Sequence, residues 1–182
     1  MKKVFIFLAE GFEETEAVAT MDVIRRGELN ITSVSITGNL LVTGAHGIVV
    51  HADTLFEKTD FSSGDLLVLP GGMPGASNLN AHSGLKNLLK QYAASNKKIA
   101  AICAAPLVLG GLDLLQGKNA TAYPGFESTL KGATVVKSPT VKDGNIITGR
   151  GPGFAFQFGL AIVEELMGKA RADEVAEGLL LK

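Results

Sequence analysis

The strongest constraint on the fold is a pattern seen three times. A short, almost unbroken apolar run is halted by small or turn-forming residues. Val4 to Leu8 ends at Ala9-Glu10-Gly11, Leu66 to Leu69 at Pro70-Gly71-Gly72, and Ile99 to Ile102 at Cys103-Ala104-Ala105-Pro106. A run that is apolar at every position has no side to turn to water, so it suits a strand covered on both faces of a parallel sheet. Helical patterns lie between the runs. Ala17, Met21 and Ile24 recur at helical spacing within residues 13–29, behind acids placed where the helix dipole favours them. Further helices are predicted over 85–94, after Cys103 with Pro106 in the first turn, over 154–167 and over 172–178. Residues 31–36, 134–136 and 145–148 read as strands, with a Lys142-Asp143-Gly144-Asn145 turn beside the last. Residues 40–42 and 48–50 read as a hairpin around Gly44-Ala45-His46-Gly47. Strands alternating with helices predict an α/β fold, a mostly parallel sheet with helices on both faces. With 182 residues, no internal repeat and no linker, one domain over 1–182 is expected.

Composition narrows the partners. Hydrophobic residues make up 46% and charged residues 19%, and the formal net charge is −1, so neither nucleic acid nor an anionic membrane is expected as a main partner. The start from Met1 to Ala9 imitates a secretory signal, but its apolar run stops at Glu10, the first of four acidic residues before Ala17. No apolar run is long enough to span a bilayer. The single cysteine cannot form an internal disulfide, which points to a reducing compartment and a cytoplasmic location.

In an open parallel sheet, ligands bind beyond the carboxyl ends of the strands. The segments that follow the buried runs therefore define the candidate site. They supply the acids Glu13, Glu14 and Glu16, the backbone donors of Gly71-Gly72, the thiol of Cys103, and Arg150 in Gly149-Arg150-Gly151-Pro152-Gly153. Cys103 on a sharp strand-to-helix turn follows the logic of a nucleophile elbow, and N–H groups at the start of the next helix favour thiolate over thiol. A buried, inert cysteine fits the local sequence equally well. The acids read first as solvated residues of an opening helical turn. For one of them to serve chemistry it must face the sulfur, where a desolvated carboxyl stays protonated and moves protons. The helical wheel places Glu13 and Glu14 nearer the apolar face than Glu16. Gly71-Gly72 is either a simple turn or a place where a bare backbone N–H meets a substrate oxygen. Neither glycine segment has the spacing of a phosphate or dinucleotide loop, and Arg150 near a helix start reads as structural or anion-binding. His46, His51 and His82 show no ligand-like spacing with another His, Cys or acid, so no metal is expected.

Taken together, Leu8-Ala9-Glu10-Gly11-Phe12-Glu13-Glu14-Thr15-Glu16, Leu69-Pro70-Gly71-Gly72, Ala100-Ala101-Ile102-Cys103-Ala104-Ala105-Pro106 and Arg150-Gly151-Pro152-Gly153 resemble the ThiJ/PfpI superfamily, and within it the DJ-1 group. The resemblance runs in the same order over essentially the whole chain. It implies a flavodoxin-like three-layer α/β sandwich and a homodimer. It assigns the reactive cysteine to Cys103 and its protonated glutamate partner to Glu16, which the wheel did not select. It places backbone oxyanion donors at Gly72 and Ala104, and at Arg150 an arginine close to the active site and the dimer interface. Two positions depart from relatives: Tyr123 stands where some carry a histidine, and His46 where a second arginine is found. Ala104 replaces the histidine that follows the cysteine in the protease branch, so peptidase activity is not expected.

The resemblance implies a cysteine-dependent enzyme acting on small reactive carbonyls such as methylglyoxal, as a glutathione-independent glyoxalase or a deglycase, with no cofactor. Cys103 and Glu16 would be catalytic, Gly72 and Ala104 would hold the oxyanion, and Arg150 and Gly71 would bind substrate or anion. The alternative is a non-enzymatic sensor or chaperone of oxidative stress that uses an oxidisable Cys103.

Overall fold

The structure is a computed structural model that describes residues 2–181; Met1 and Lys182, the two ends of the expected 1–182 domain, lie outside the described residues. In chain order the elements are β1 (Lys3–Leu8), α1 (Glu14–Arg26), β2 (Asn30–Ser35), β3 (Leu41–Thr43), β4 (Val49–His51), β5 (Thr54–Leu55), β6 (Leu66–Leu69), α2 (Gly75–Ala81), α3 (Ser83–Ala94), β7 (Lys98–Ile102), α4 (Pro106–Gly111), β8 (Asn119–Ala120), β9 (Thr134–Val135), β10 (Thr140–Asp143), β11 (Ile146–Gly149), α5 (Ala155–Met167) and α6 (Lys169–Gly178).

Seven strands form the central sheet in the order β10-β11-β7-β6-β1-β2-β5. All neighbours are parallel except the edge strand β10, which runs antiparallel to β11. The expected pattern is therefore present: a mostly parallel sheet with helices on both faces. β1 shows why its run is apolar throughout. Val4, Ile6 and Leu8 pack on one face with Ala17, Met21 and Ile24 of α1 and Phe158 and Ile162 of α5. Phe5 and Phe7 pack on the other with Leu85, Leu89 and Tyr92 of α3 and Val108 of α4. Side chains alternate across a strand, so a strand sandwiched between helix layers buries both sets. Each fully buried residue of this size contributes about 1.5–3 kcal/mol, which makes the central strands the least replaceable part of the fold.

Some elements differ from the sequence expectation. β10 lies at the sheet edge with no fully buried residue, so its Thr-Val-Lys-Asp run carries no apolar signature. α2, of seven residues, buries only Gly75, Ala76 and Leu79 and lacks a helical apolar stripe. α1 stops at Arg26, short of the expected 29: Gly27 caps it and Glu28 takes φ +60°, the left-handed conformation that ends a helix. The helix after Cys103 is only six residues long.

The strand order reverses direction at β1, which pairs with β2 on one side and β6 on the other. The carboxyl ends of β1, β6 and β7 therefore meet at a topological switch point, the place where open α/β sheets bind ligands. Among the described residues, no helix is long and apolar enough to cross a membrane.

Candidate functional site

Cys103 follows β7 with φ at +65°. That left-handed conformation costs a residue with a Cβ roughly 1–2 kcal/mol, so the surrounding structure must hold it. Cys103 N–H donates to the Gly149 carbonyl at 2.9 Å, and Tyr123 N–H donates to the Cys103 carbonyl at 2.9 Å. The end of β11 and the loop after β8 thus hold both main-chain groups of the elbow. The residue is 8% exposed, so a narrow opening reaches it.

Glu16 is fully buried in the first turn of α1. Its Oε2 accepts from Gly71 N–H at 2.8 Å. Its Oε1 has no hydrogen-bond partner among the described residues, and the carboxyl interacts with the neighbouring Cys103 thiol. Glu13 caps α1 by accepting from Glu16 N–H at 2.6 Å, which fixes where Glu16 leaves the helix. The expectation of solvated first-turn acids does not hold for Glu14 or Glu16. The wheel ranked Glu16 least buried of the three because it counts only the helix's own apolar stripe. The loops after β6 and β7 close over the first turn and bury Glu16 instead.

Burial pushes the Glu16 carboxyl up to about 7, against the bonds from Cys103 and Gly71 that pull it down; the charge of Glu13 raises it slightly more. Burial also pushes the Cys103 thiol up, and the Glu16 carboxylate beside it pushes further, while the N–H groups of Gly72 and Ala104 bond the sulfur and pull it down. Burial is the first cause of both shifts, and for Cys103 the nearby Glu16 charge adds to it. The two groups are coupled, and once the first proton has left the pair holds one proton, as thiol with carboxylate or as thiolate with carboxylic acid. This corrects the expectation of a thiol simply lowered by a following helix. α4 is too short for a large dipole, and the groups that favour the thiolate are two individual backbone donors.

The predicted residues meet at this point. Gly72 and Ala104 bring their N–H groups to the sulfur, whereas Gly71 gives its N–H to Glu16. Gly71 lies so close that a Cβ there would come within 2.7 Å of both Cys103 Cβ and Glu16 Oε2. Gly72 has φ +87°, which glycine adopts without strain. Arg150 follows Gly149, the residue that accepts from Cys103 N–H, and lines a cavity with Tyr123, Pro124 and Phe154.

Sequence spacing missed one group. Glu14 is buried and reaches 32 residues along the chain to the β3–β4 hairpin. It accepts from His46 N–H at 2.7 Å, from Ile48 N–H at 3.3 Å and pairs with His46 Nδ1 at 2.8 Å. Potential ligand atoms of Glu13, Glu14 and His46 lie within 4.8 Å of one another, a proximity no spacing rule reports. These atoms already cap α1 and hold the hairpin. The partial signal in the sequence was Gly44, whose backbone packs directly on the Glu14 carboxyl.

The DJ-1/PfpI family model matches residues 2–165. The chain is 44% identical over 184 residues to Protein DJ-1 homolog A of Arabidopsis thaliana, covering 100% of this chain but 47% of that protein, so it spans about half of that relative's length. It is 31% identical over 189 residues to the glutathione-independent glyoxalase DJ-1 of Schizosaccharomyces pombe, covering 98% of both chains. The solved structure of oxidized Toxoplasma gondii DJ-1 superposes with a TM-score of 0.95 at 35% identity, covering 99% of this chain and 98% of that one.

Proposed function

The chain belongs to the DJ-1/PfpI family, and on that premise we propose that residues 1–182 form one domain that is a cysteine-dependent enzyme for small reactive carbonyls. Its reaction converts methylglyoxal to lactate without glutathione or any other cofactor, and the same chemistry acts on early carbonyl adducts of proteins. The observation that carries this reading is the convergence on Cys103 Sγ of one buried carboxyl, Glu16, and two backbone donors, Gly72 and Ala104. The named activity of the fission-yeast relative supports it.

The steps follow from the residues present. In the reactive form, the shared proton sits on Glu16 and Cys103 is a thiolate. The sulfur adds to the aldehyde carbon, and the Gly72 and Ala104 N–H groups hold the oxygen that gains charge. Glu16 gives that oxygen its proton and becomes a carboxylate. It then takes the hydrogen of the former aldehyde carbon as a proton, leaving an enediolate; the proton on the first oxygen passes to the second, and Glu16 returns the carbon-derived proton to the neighbouring carbon. The first carbon ends as a Cys103 thioester and the former ketone as a hydroxyl. Water hydrolyses the thioester, releases lactate and restores the thiol. The sum is methylglyoxal plus water to lactate.

The cytoplasm is the proposed location and a homodimer the working form. Val18 on α1 and Leu41, Ile48 and Val49 of the hairpin leave apolar surface exposed for a second copy. A second reading rests on the same donors. They suit a sulfinate, so stepwise oxidation by two peroxide molecules, each leaving as water, would make Cys103 a stress sensor. Lactate production from methylglyoxal without glutathione decides between them. Turnover abolished in Cys103→Ser and reduced at least a hundredfold in Glu16→Gln upholds the enzyme. No turnover, with peroxide oxidation halting at one sulfinate, replaces it with the sensor.

A further inference from the structure

The two backbone donors at the sulfur belong to two peptide groups, Gly71–Gly72 and Cys103–Ala104. Both are trans. In a trans peptide the N–H and the C=O point to opposite sides of one rigid plane, so a bond to the carbonyl fixes where the N–H aims. In both groups that carbonyl is held from behind. The Gly71 carbonyl accepts from Glu13 N–H at 3.0 Å, and the Cys103 carbonyl accepts from Tyr123 N–H at 2.9 Å. Neither bond belongs to a helix or a strand ladder.

The Gly71–Gly72 group has further ties. Gly71 N–H donates to Glu16, and Glu16 N–H donates to the Glu13 carboxylate, which closes a ring of three bonds among Glu13, Glu16 and Gly71. The Cys103–Ala104 group follows a residue at φ +65°, a conformation that persists only where its surroundings hold it. Tyr123, in the loop after β8, supplies the N–H at its carbonyl, and the Tyr123 carbonyl accepts from Phe126 N–H at 3.0 Å, a turn that steadies the loop. Hydrogen bonds in series polarise one another, so a donor at the Cys103 carbonyl also strengthens the Ala104 N–H at the other end of the plane.

We propose that Tyr123 is a positioning residue for the carbonyl reaction and acts through its main-chain N–H: it holds the Cys103–Ala104 peptide from behind and so aims the Ala104 N–H at the charge that forms beside Cys103. This rests on the reaction proposed above and gives it a residue outside the Cys103–Glu16 pair. A role carried by the main chain does not depend on the ring, so it survives at a position where some relatives carry a histidine.

The test replaces Tyr123 with 4-hydroxyphenyllactic acid, which keeps the ring and puts an ester oxygen where the N–H was. That oxygen faces the Cys103 carbonyl, acceptor against acceptor. Phe126 replaced by phenyllactic acid is the control. It loses one N–H of the same loop, but the carbonyl it served belongs to the Tyr123–Pro124 peptide, which has no N–H to aim. Losing an oxyanion donor outright costs about a hundredfold to a thousandfold in kcat. Loosening one should cost about tenfold for methylglyoxal, with KM within about twofold of native. The pH midpoint of Cys103 alkylation by iodoacetamide should rise, because the Ala104 bond favours the thiolate. The Phe126 ester should leave both readings near native. A Tyr123 ester with native kcat and native midpoint overturns the proposal, and so does an equal change in the Phe126 ester. If the native protein does not turn over methylglyoxal, the carbonyl reaction itself falls and the midpoint decides alone: a rise confined to the Tyr123 ester upholds the positioning role, and an unmoved midpoint overturns it. If the Tyr123 ester does not fold, amide exchange in the native protein decides: Tyr123 N–H protected as well as Cys103 N–H upholds the role, and exchange at the rate of a free loop amide overturns it.

Discussion

Gly71 N–H donates to Glu16 Oε2 at 2.8 Å, so the carboxyl that bonds Cys103 is aimed by a loop that follows a different strand. Helix α1 supplies the acid, the loop after β6 orients it, and the turn after β7 presents the sulfur. The geometry of the pair is thus a property of three strand ends together.

Gly71→Ala should damage the site more than the fold. The added Cβ would come within 2.7 Å of Cys103 Cβ and Glu16 Oε2, and 2.9 Å of the Ile102 carbonyl. Overpacking of this kind costs about 1–3 kcal/mol, readable as a lower urea midpoint. Displacing the carboxyl should lower lactate formation at least tenfold, measured in the same preparation.

Glu16 also sets a pH dependence of stability. Its folded value is raised to about 7 from an ordinary 4.5. Between those values the folded state holds a proton that the unfolded state releases, so stability is full below pH 4.5, declines as pH rises towards 7 and is level above for this group. The loss is at most about 3 kcal/mol. Glu16→Gln, neutral throughout, should remove that decline, so its advantage over the native protein in urea unfolding appears at pH 8 and vanishes near pH 4. Equal behaviour of the two proteins across this range would contradict the assignment.

Glu14 predicts the opposite slope. Its carboxyl is held below the usual range by its bonds to His46 and to the Ile48 N–H, against the opposing effect of burial. Its contribution is therefore present above the unfolded value and lost as pH falls through the folded one. Glu14→Ala leaves two hairpin N–H groups without their acceptor and should cost about 2 kcal/mol, with faster amide exchange in β3 and β4. His46→Ala keeps both backbone bonds to Glu14 and should cost much less, since that ring is exposed.

The elbow conformation can be tested through the backbone. Cys103 has φ +65°, and glycine pays no steric penalty there. Cys103→Gly should exceed Cys103→Ala in thermal stability by about 1 kcal/mol, reversing the usual order of the two residues. An Ala variant that melts higher would mean the elbow relaxes once the sulfur is gone.

The strand cores were legible because burial on both faces leaves a local trace. Val4–Leu8, Leu66–Leu69 and Ile99–Ile102 are apolar at every step, and each ends at its turn signal. The hairpin was legible from Gly44 to Gly47. β10 and α2 were not, since an exposed edge strand and a short helix built of Gly, Ala, Ser and Asn carry no apolar period. The residues of the site were legible as types at strand ends, and the family resemblance named Glu16.

The sequence by itself indicated that apolar strands end in a shared rim and that Cys103 sits on a strand-to-helix turn, because these depend on neighbours along the chain. Only the tertiary structure decided how the loops bury Glu16 beside the sulfur, that Glu14 holds the hairpin, and that burial raises both the thiol and the carboxyl. Those are matters of distance and desolvation between groups far apart in sequence. Coulomb repulsion and the cost of burying charge act through space, and no periodicity along one helix records them.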